Sequence, residues 1–110
     1  MDAIHRIAQL VAAYPAVLFL KGTAKNPLSE GSLRSLNALG EYVDQVHLVD
    51  ITQDPEIRAF LPKYADLDGF PQFYLQGELI GGHEVMEELA ASGELYRILS
   101  SIKQQWQQAS

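Results

Sequence analysis

Five consecutive residues, Ala16-Val17-Leu18-Phe19-Leu20, carry no polar side-chain atom. A strand with one face in water alternates apolar and polar side chains, whereas an unbroken apolar run suits a strand covered on both faces. Such a strand needs a helical layer on each side of its sheet, and the flanking sequence supplies the helices. Asp2 is placed to cap a helix over Ala3–Ala13 that carries Ile4, Ile7, Leu10 and Val11 on one face. Residues 21–31 hold Gly, Asn, Pro and Ser and read as a loop. Leu33, Leu36 and Leu39 mark a short helix stopped by Gly40.

Residues 46–51 read as a second strand. Asp54-Pro55-Glu56 combines a cap, a first-turn proline and an acid suited to a helix N-terminus, so a third helix starts there and ends near residues 62–64. Gln72–Leu75 and residues 78–80 form two short strands around Gln76-Gly77, a hairpin turn signal weaker than Asn-Gly. Gly81-Gly82 leads into a helix with Val85, Met86 and Leu89, Ser92-Gly93 interrupts it, and a last helix runs from Glu94 to about Trp106. The Gln-rich residues 104–110 are expected to fray. The order αβαβαββαα gives an α/β domain with a four-stranded mixed sheet and helices on both faces. The first strand pair is expected to be parallel with a right-handed crossover, the last antiparallel.

Length bounds the chain to a single domain over residues 1–110. A net charge of −6 argues against nucleic acid, because neutralising phosphates takes clustered Lys and Arg, and against an anionic membrane surface. The apolar runs are too short to span a bilayer. Asp2 stands where a signal peptide would be positive, and no Arg- and Ser-rich transit peptide follows, so a cytoplasmic location is expected. The sequence contains no cysteine, which removes disulfides, thiolate metal ligands and thiol catalysis.

Three segments resemble the monothiol glutaredoxins: Lys21-Gly22-Thr23 with Pro27 downstream, Asp54-Pro55-Glu56-Ile57-Arg58, and Phe70-Pro71-Gln72-Phe73-Tyr74-Leu75-Gln76-Gly77-Glu78-Leu79-Ile80-Gly81-Gly82. The resemblance covers residues 4–102 and implies a thioredoxin-like (glutaredoxin) fold. It departs from the family at the centre. Ser29-Glu30-Gly31-Ser32 stands where the family carries Cys-Gly-Phe-Ser, and His83 stands where a second cysteine usually follows the double glycine. A serine hydroxyl ionises too weakly to replace a thiolate nucleophile, and its oxygen suits an iron–sulfur cluster poorly, so no cluster is expected. Glu30 puts a carboxylate at a helix N-terminus that in the family favours anions. There it opposes thiolate formation and repels a glutathione carboxylate.

The remaining site residues follow from the resemblance. Lys21 corresponds to a lysine that contacts glutathione, and Arg58 to the arginine that holds the glycine carboxylate of glutathione. The plain alternative for Arg58 is a helix charge paired with Asp54. Phe70 and Pro71 correspond to a cis-proline segment whose backbone pairs with the cysteinyl part of glutathione. Gly69 replaces a threonine there, which loosens the loop. Gly82 permits close backbone approach. Glu84 replaces the aspartate that accepts from the ligand's amino group, on a longer arm. His83 borders the same cleft, where a Ser29–His83–Glu84 arrangement is conceivable without any nucleophile-elbow pattern. His5, His47 and His83 have no metal-ligand spacing, and no metal is expected.

The leading reading is a glutaredoxin-family binding module without redox chemistry. Its partner would be a BolA-type protein or a second copy, since family members pair in both ways. The alternative is a glutathione-binding protein without turnover, and a lesser alternative is a serine/histidine enzyme on the same scaffold.

Overall fold

The computed structural model describes residues 2–65, 67 and 69–109, with side chains through residue 102. Its elements are α1 (Ala3–Ala13), β1 (Ala16–Leu20), α2 (Glu30–Leu39), β2 (His47–Asp50), α3 (Pro55–Ala65), β3 (Gln72–Leu75), β4 (Glu78–Gly81), α4 (His83–Ser92) and α5 (Glu94–Ala109). Two short 3-10 segments, Gly40–Gln45 and Ile51–Gln53, flank β2. The sheet order is β2-β1-β3-β4, with β1 parallel to β2 and antiparallel to β3, and β3 antiparallel to β4. This is the α/β thioredoxin-like fold expected from the sequence.

The apolar run does what its composition requires. Ala16, Leu18 and Leu20 face a core shared with α2, α4 and α5, including Leu39, Phe73, Met86, Leu95 and Leu99. Val17 and Phe19 face a second core built from Ile7 and Val11 of α1, Ile57 and Leu61 of α3, and Tyr74. Every side chain of β1 is buried. The hairpin turn has φ of 52° at Gln76 and 82° at Gly77, so both central residues take the positive φ that a tight right-twisted hairpin needs.

Several local expectations are corrected. Ile4 is partly exposed, and α1 instead buries Ala3, Ile7 and Val11. On α2 the apolar Leu33 faces outward while Ser32, Ser35, Ala38 and Leu39 are buried. Serine is stable inside because its hydroxyl is satisfied locally: Ser35 Oγ donates to the Ser32 carbonyl at 2.7 Å. The 21–31 loop is shorter than expected, since α2 already begins at Glu30. The second strand covers only His47–Asp50, because Asp50 turns the chain: its Oδ1 accepts from Thr52 N at 2.9 Å. Helix α3 continues through Pro62 to Ala65. Pro62 leaves the Arg58 carbonyl without its helical N–H donor, yet buried Ile57 and Leu61 hold the helix on the sheet. Helix α5 extends beyond Trp106 to Ala109; the fraying expected of residues 104–110 falls on side chains outside the described residues.

Candidate functional site

The site is assembled where α2, the segment before β3 and the start of α4 meet. Ser29 has extended backbone angles (φ −149°, ψ 157°), and its Oγ accepts from Ser32 N at 3.1 Å, so it is the N-cap of α2. The Ser29 hydroxyl donates to Ser32 Oγ at 2.8 Å, and Ser32 Oγ also accepts from Lys21 N at 2.9 Å. Ser32 is therefore a buried junction tying the end of β1 to the first turn of α2. Replacing Ser29 by Ala removes the cap, and thermal or urea unfolding should show a loss of about 1 kcal/mol.

Lys21 is half-buried just after β1, and its carbonyl accepts from Leu28 N at 2.9 Å. Arg58 is exposed on α3. Its expected ion-pair partner is otherwise engaged: Asp54 is paired with Arg6 of α1 and caps α3 by accepting from Ile57 N at 3.2 Å.

The Phe70-Pro71 peptide is cis. The buried Gln72 side chain fixes the approach to it, donating to the carbonyls of Leu67 at 2.9 Å and Gly69 at 3.3 Å. Tyr74 in turn donates to Gln72 Oε1 at 3.0 Å. Gly69 has φ +84°, a conformation that strains a branched side chain such as threonine. Gln72 thus restrains a loop that Gly69 alone would loosen.

Phe70, Pro71, Gly82, His83 and Glu84 line one cavity of about 380 Å³, together with Leu67, Gly81 and Val85. Lys21, Ser29 and Arg58 are not among its lining residues. Gly31 connects the cavity to the Ser29 cap. A Cβ at position 31 would lie 3.0 Å from His83 Cδ2, 3.1 Å from Pro71 Cδ and 3.6 Å from the Phe70 carbonyl oxygen. The imidazole and the proline ring therefore fill the space that a side chain at 31 would take.

His83 Nδ1 lies 3.1 Å from Glu87 Oε1, and Glu87 also accepts from Arg34 of α2, with Nε at 3.2 Å and NH2 at 3.0 Å from Oε2. Glu30 lies 3.9 Å from Arg34 NH1. The His83 hydrogen bond, helped by Arg34, holds the Glu87 carboxyl below the usual carboxylate range. The sequence reading missed Arg34 and Glu87. The i,i+4 spacing of His83 and Glu87 on one helix was a usable signal, whereas the link to Arg34 crosses between helices. The acid beside His83 is Glu87 and not Glu84, and the Ser29 hydroxyl is turned to Ser32, so the Ser29–His83–Glu84 arrangement does not form.

The two helix N-termini at the site differ. That of α2 is closed by the Ser29 side chain, whereas Gly82 offers α4 no side-chain cap. Among the described residues no group of three or more His, Asp or Glu is placed to hold a metal ion. The donor set at position 29, a hydroxyl engaged with Ser32 and no thiolate, does not fit an iron–sulfur cluster. Among the described residues no helix is long and apolar enough to cross a membrane.

Comparison with known proteins agrees with this architecture. No family model matches the chain. Glutaredoxin 4 of Escherichia coli (strain K12) is 38% identical over 96 residues, covering 87% of this chain and 84% of that protein. The chain belongs to the monothiol glutaredoxin family. Among solved structures, oxidized glutaredoxin 2 from Chlamydomonas reinhardtii superposes with a TM-score of 0.79 at 18% identity, over 94% of this chain and 98% of that one. A buckwheat glutaredoxin–glutathione complex gives a TM-score of 0.76 at 21% identity, over 92% and 90% of the two chains. Both share the glutaredoxin fold.

Proposed function

We propose that this chain is a non-redox binding module of the monothiol glutaredoxin family. The observation that carries the reading is Ser29: the residue at the nucleophile position is a helix cap whose hydroxyl is spent on Ser32. With no cysteine in the chain, a thiol has no other place to come from. The cleft beside the cap remains open, so binding can persist where turnover has gone. Leu28 and Leu33 stand exposed on either side of Ser29, and this apolar surface supports a protein partner, either a BolA-type protein or a second copy. The setting is the cytoplasm.

A second reading, non-covalent binding of glutathione or a similar peptide, is favoured by the cavity at Phe70-Pro71 and by the uncapped start of α4, which suits a carboxylate. Glu84 beside it would accept from an amino group, and Lys21 and Arg58 would meet the ligand's far end. Calorimetric titration with reduced glutathione tests this. Binding is expected in the wild type, and Arg58→Ala should weaken it about tenfold, the loss of one charge-assisted pair. No heat at millimolar ligand would remove glutathione and leave the protein-partner reading.

A further inference from the structure

We propose that a groove crossing Tyr96, on the side of the sheet covered by α2, α4 and α5, docks a proline-rich segment of a partner protein that ends in a basic residue. The groove shares no lining residue with the Phe70-Pro71 cavity, and the inference does not depend on what that cavity holds.

Two cavities meet at one side chain. Tyr96 of α5 lines a cavity of about 400 Å³ together with Arg34 and Asn37 of α2 and Glu87 of α4. It also lines a second one, of about 440 Å³, with Gly40, Glu41 and Tyr42. The Tyr96 hydroxyl donates to the Ala38 carbonyl at 2.9 Å, which fixes the ring. Tyr42 stacks on it, with centroids 5.7 Å apart and planes 27° from parallel. The pair forms a fixed aromatic ridge with a hollow on each side.

The lining selects the kind of partner. No strand borders either cavity, so an added strand would find no sheet edge to extend. The first cavity is completed by Ala38, Ala90 and Ala91, which leave no deep apolar slot for the large anchors of a helix. A polyproline II segment needs less: aromatic faces for its rings, and donors for carbonyls that have no partner within the segment. It is ordered before it binds, so a small site suffices. Tyr42 and Tyr96 supply the faces. The exposed Asn37 amide supplies a donor and makes no hydrogen bond among the described residues.

Charge fixes the rest. Arg34 and Glu87 pair at 2.9 Å and cancel each other. Glu41 is exposed and has no ion-pair partner among the described residues, so the lining is net negative. A Lys or Arg at the end of the segment matches it. A second copy would bring a further Glu41 and its own net charge of −6, which opposes self-association here.

The test is an NMR titration of the full chain with the peptide acetyl-Pro-Pro-Pro-Pro-Arg-amide. Saturable shifts are expected at the amides of Asn37, Glu41, Tyr42 and Tyr96. A peptide with glycines in place of the prolines, and one ending in Glu, should both bind several-fold more weakly. Glu41→Lys should weaken the Arg peptide about fivefold, the loss of an exposed ion pair, and improve binding of the Glu peptide. Tyr42→Ala removes half of the ridge and should cost more than about tenfold. If that variant does not fold, Glu41→Lys still decides the matter. The proposal is overturned by no saturating shift at millimolar peptide, by equal binding of the glycine peptide, or by indifference to Glu41→Lys. Shifts centred on Ser29 and Gly82 would overturn it too. Concentration-dependent shifts at Tyr42 and Tyr96 without peptide would assign the groove to a second copy and equally overturn it.

Discussion

Gly22→Ala should destabilise the protein by more than about 3 kcal/mol, enough to remove a large part of a small domain's stability. Two effects combine. Gly22 has φ +96°, a conformation that alone costs a residue with a Cβ about 1–3 kcal/mol. The added methyl would lie 2.4 Å from the Asn26 carbonyl oxygen and 2.8 Å from Leu28 N. Both are backbone atoms that cannot rotate aside. Relief would pull the segment away from Asp50, whose Oδ1 accepts from Gly22 N at 2.9 Å, and from the bridge between Gly22 and Pro27. Urea unfolding should show a much lower midpoint at an unchanged slope. A loss below about 1 kcal/mol would mean that the 22–28 loop is freely adjustable, and that Ser29 is not delivered to α2 by its geometry.

Gly31→Ala should cost stability in the wild type, and less when His83 is absent. In the wild type the new methyl meets His83 Cδ2 at 3.0 Å and Pro71 Cδ at 3.1 Å. Neither neighbour moves freely, because the imidazole is held by Glu87 and Glu87 by Arg34. Overpacking of this kind costs about 1–3 kcal/mol and outweighs the roughly 1 kcal/mol by which alanine surpasses glycine in a helix. In a His83→Ala background the imidazole is gone and only Pro71 Cδ still crowds the methyl, so the alanine at 31 should cost distinctly less. A double-mutant cycle by urea unfolding is therefore expected to give a coupling of about 2 kcal/mol. Additive effects would show that α2 and α4 part easily at this point.

Legibility in the sequence depended on whether the deciding interaction was local. The all-apolar β1 run announced a strand covered on two faces, and Asp54-Pro55 and Gln76-Gly77 each fixed an element end through residues adjacent in the chain. The same local reasoning misjudged Leu33, because leucines at three-residue spacing outline a helix face but do not say which face the sheet takes. Buried Ser32 and Ser35 hold that face through hydrogen bonds to Lys21 N and to their own turn, which hydropathy does not register. Arg58 was paired with Asp54 on spacing, while the structure brings Arg6 from a helix 48 residues away to the same carboxylate. At the site, the missing cysteine was plain, and the residues around Phe70-Pro71 and Gly82-His83-Glu84 do line one cavity. Of the Arg34–Glu87–His83 chain only the His83–Glu87 spacing was readable, since 53 residues separate Arg34 from Glu87 and only the packing of α2 on α4 joins them.

The closed circuit of Ser29, Ser32 and Lys21 N also bears on how occupancy and folding relate. A helix that waits for an anion to complete its first turn would be ordered by its ligand, and filling the site would be felt through the whole molecule. Here α2 starts on its own hydroxyl, so the scaffold is finished before anything arrives. An occupant should then raise the melting temperature only as far as mass action dictates, and leave without loosening the fold. On the proposed binding reading such a protein would be a reusable receptacle: its response would follow the concentration of what it meets, with no memory of having been filled.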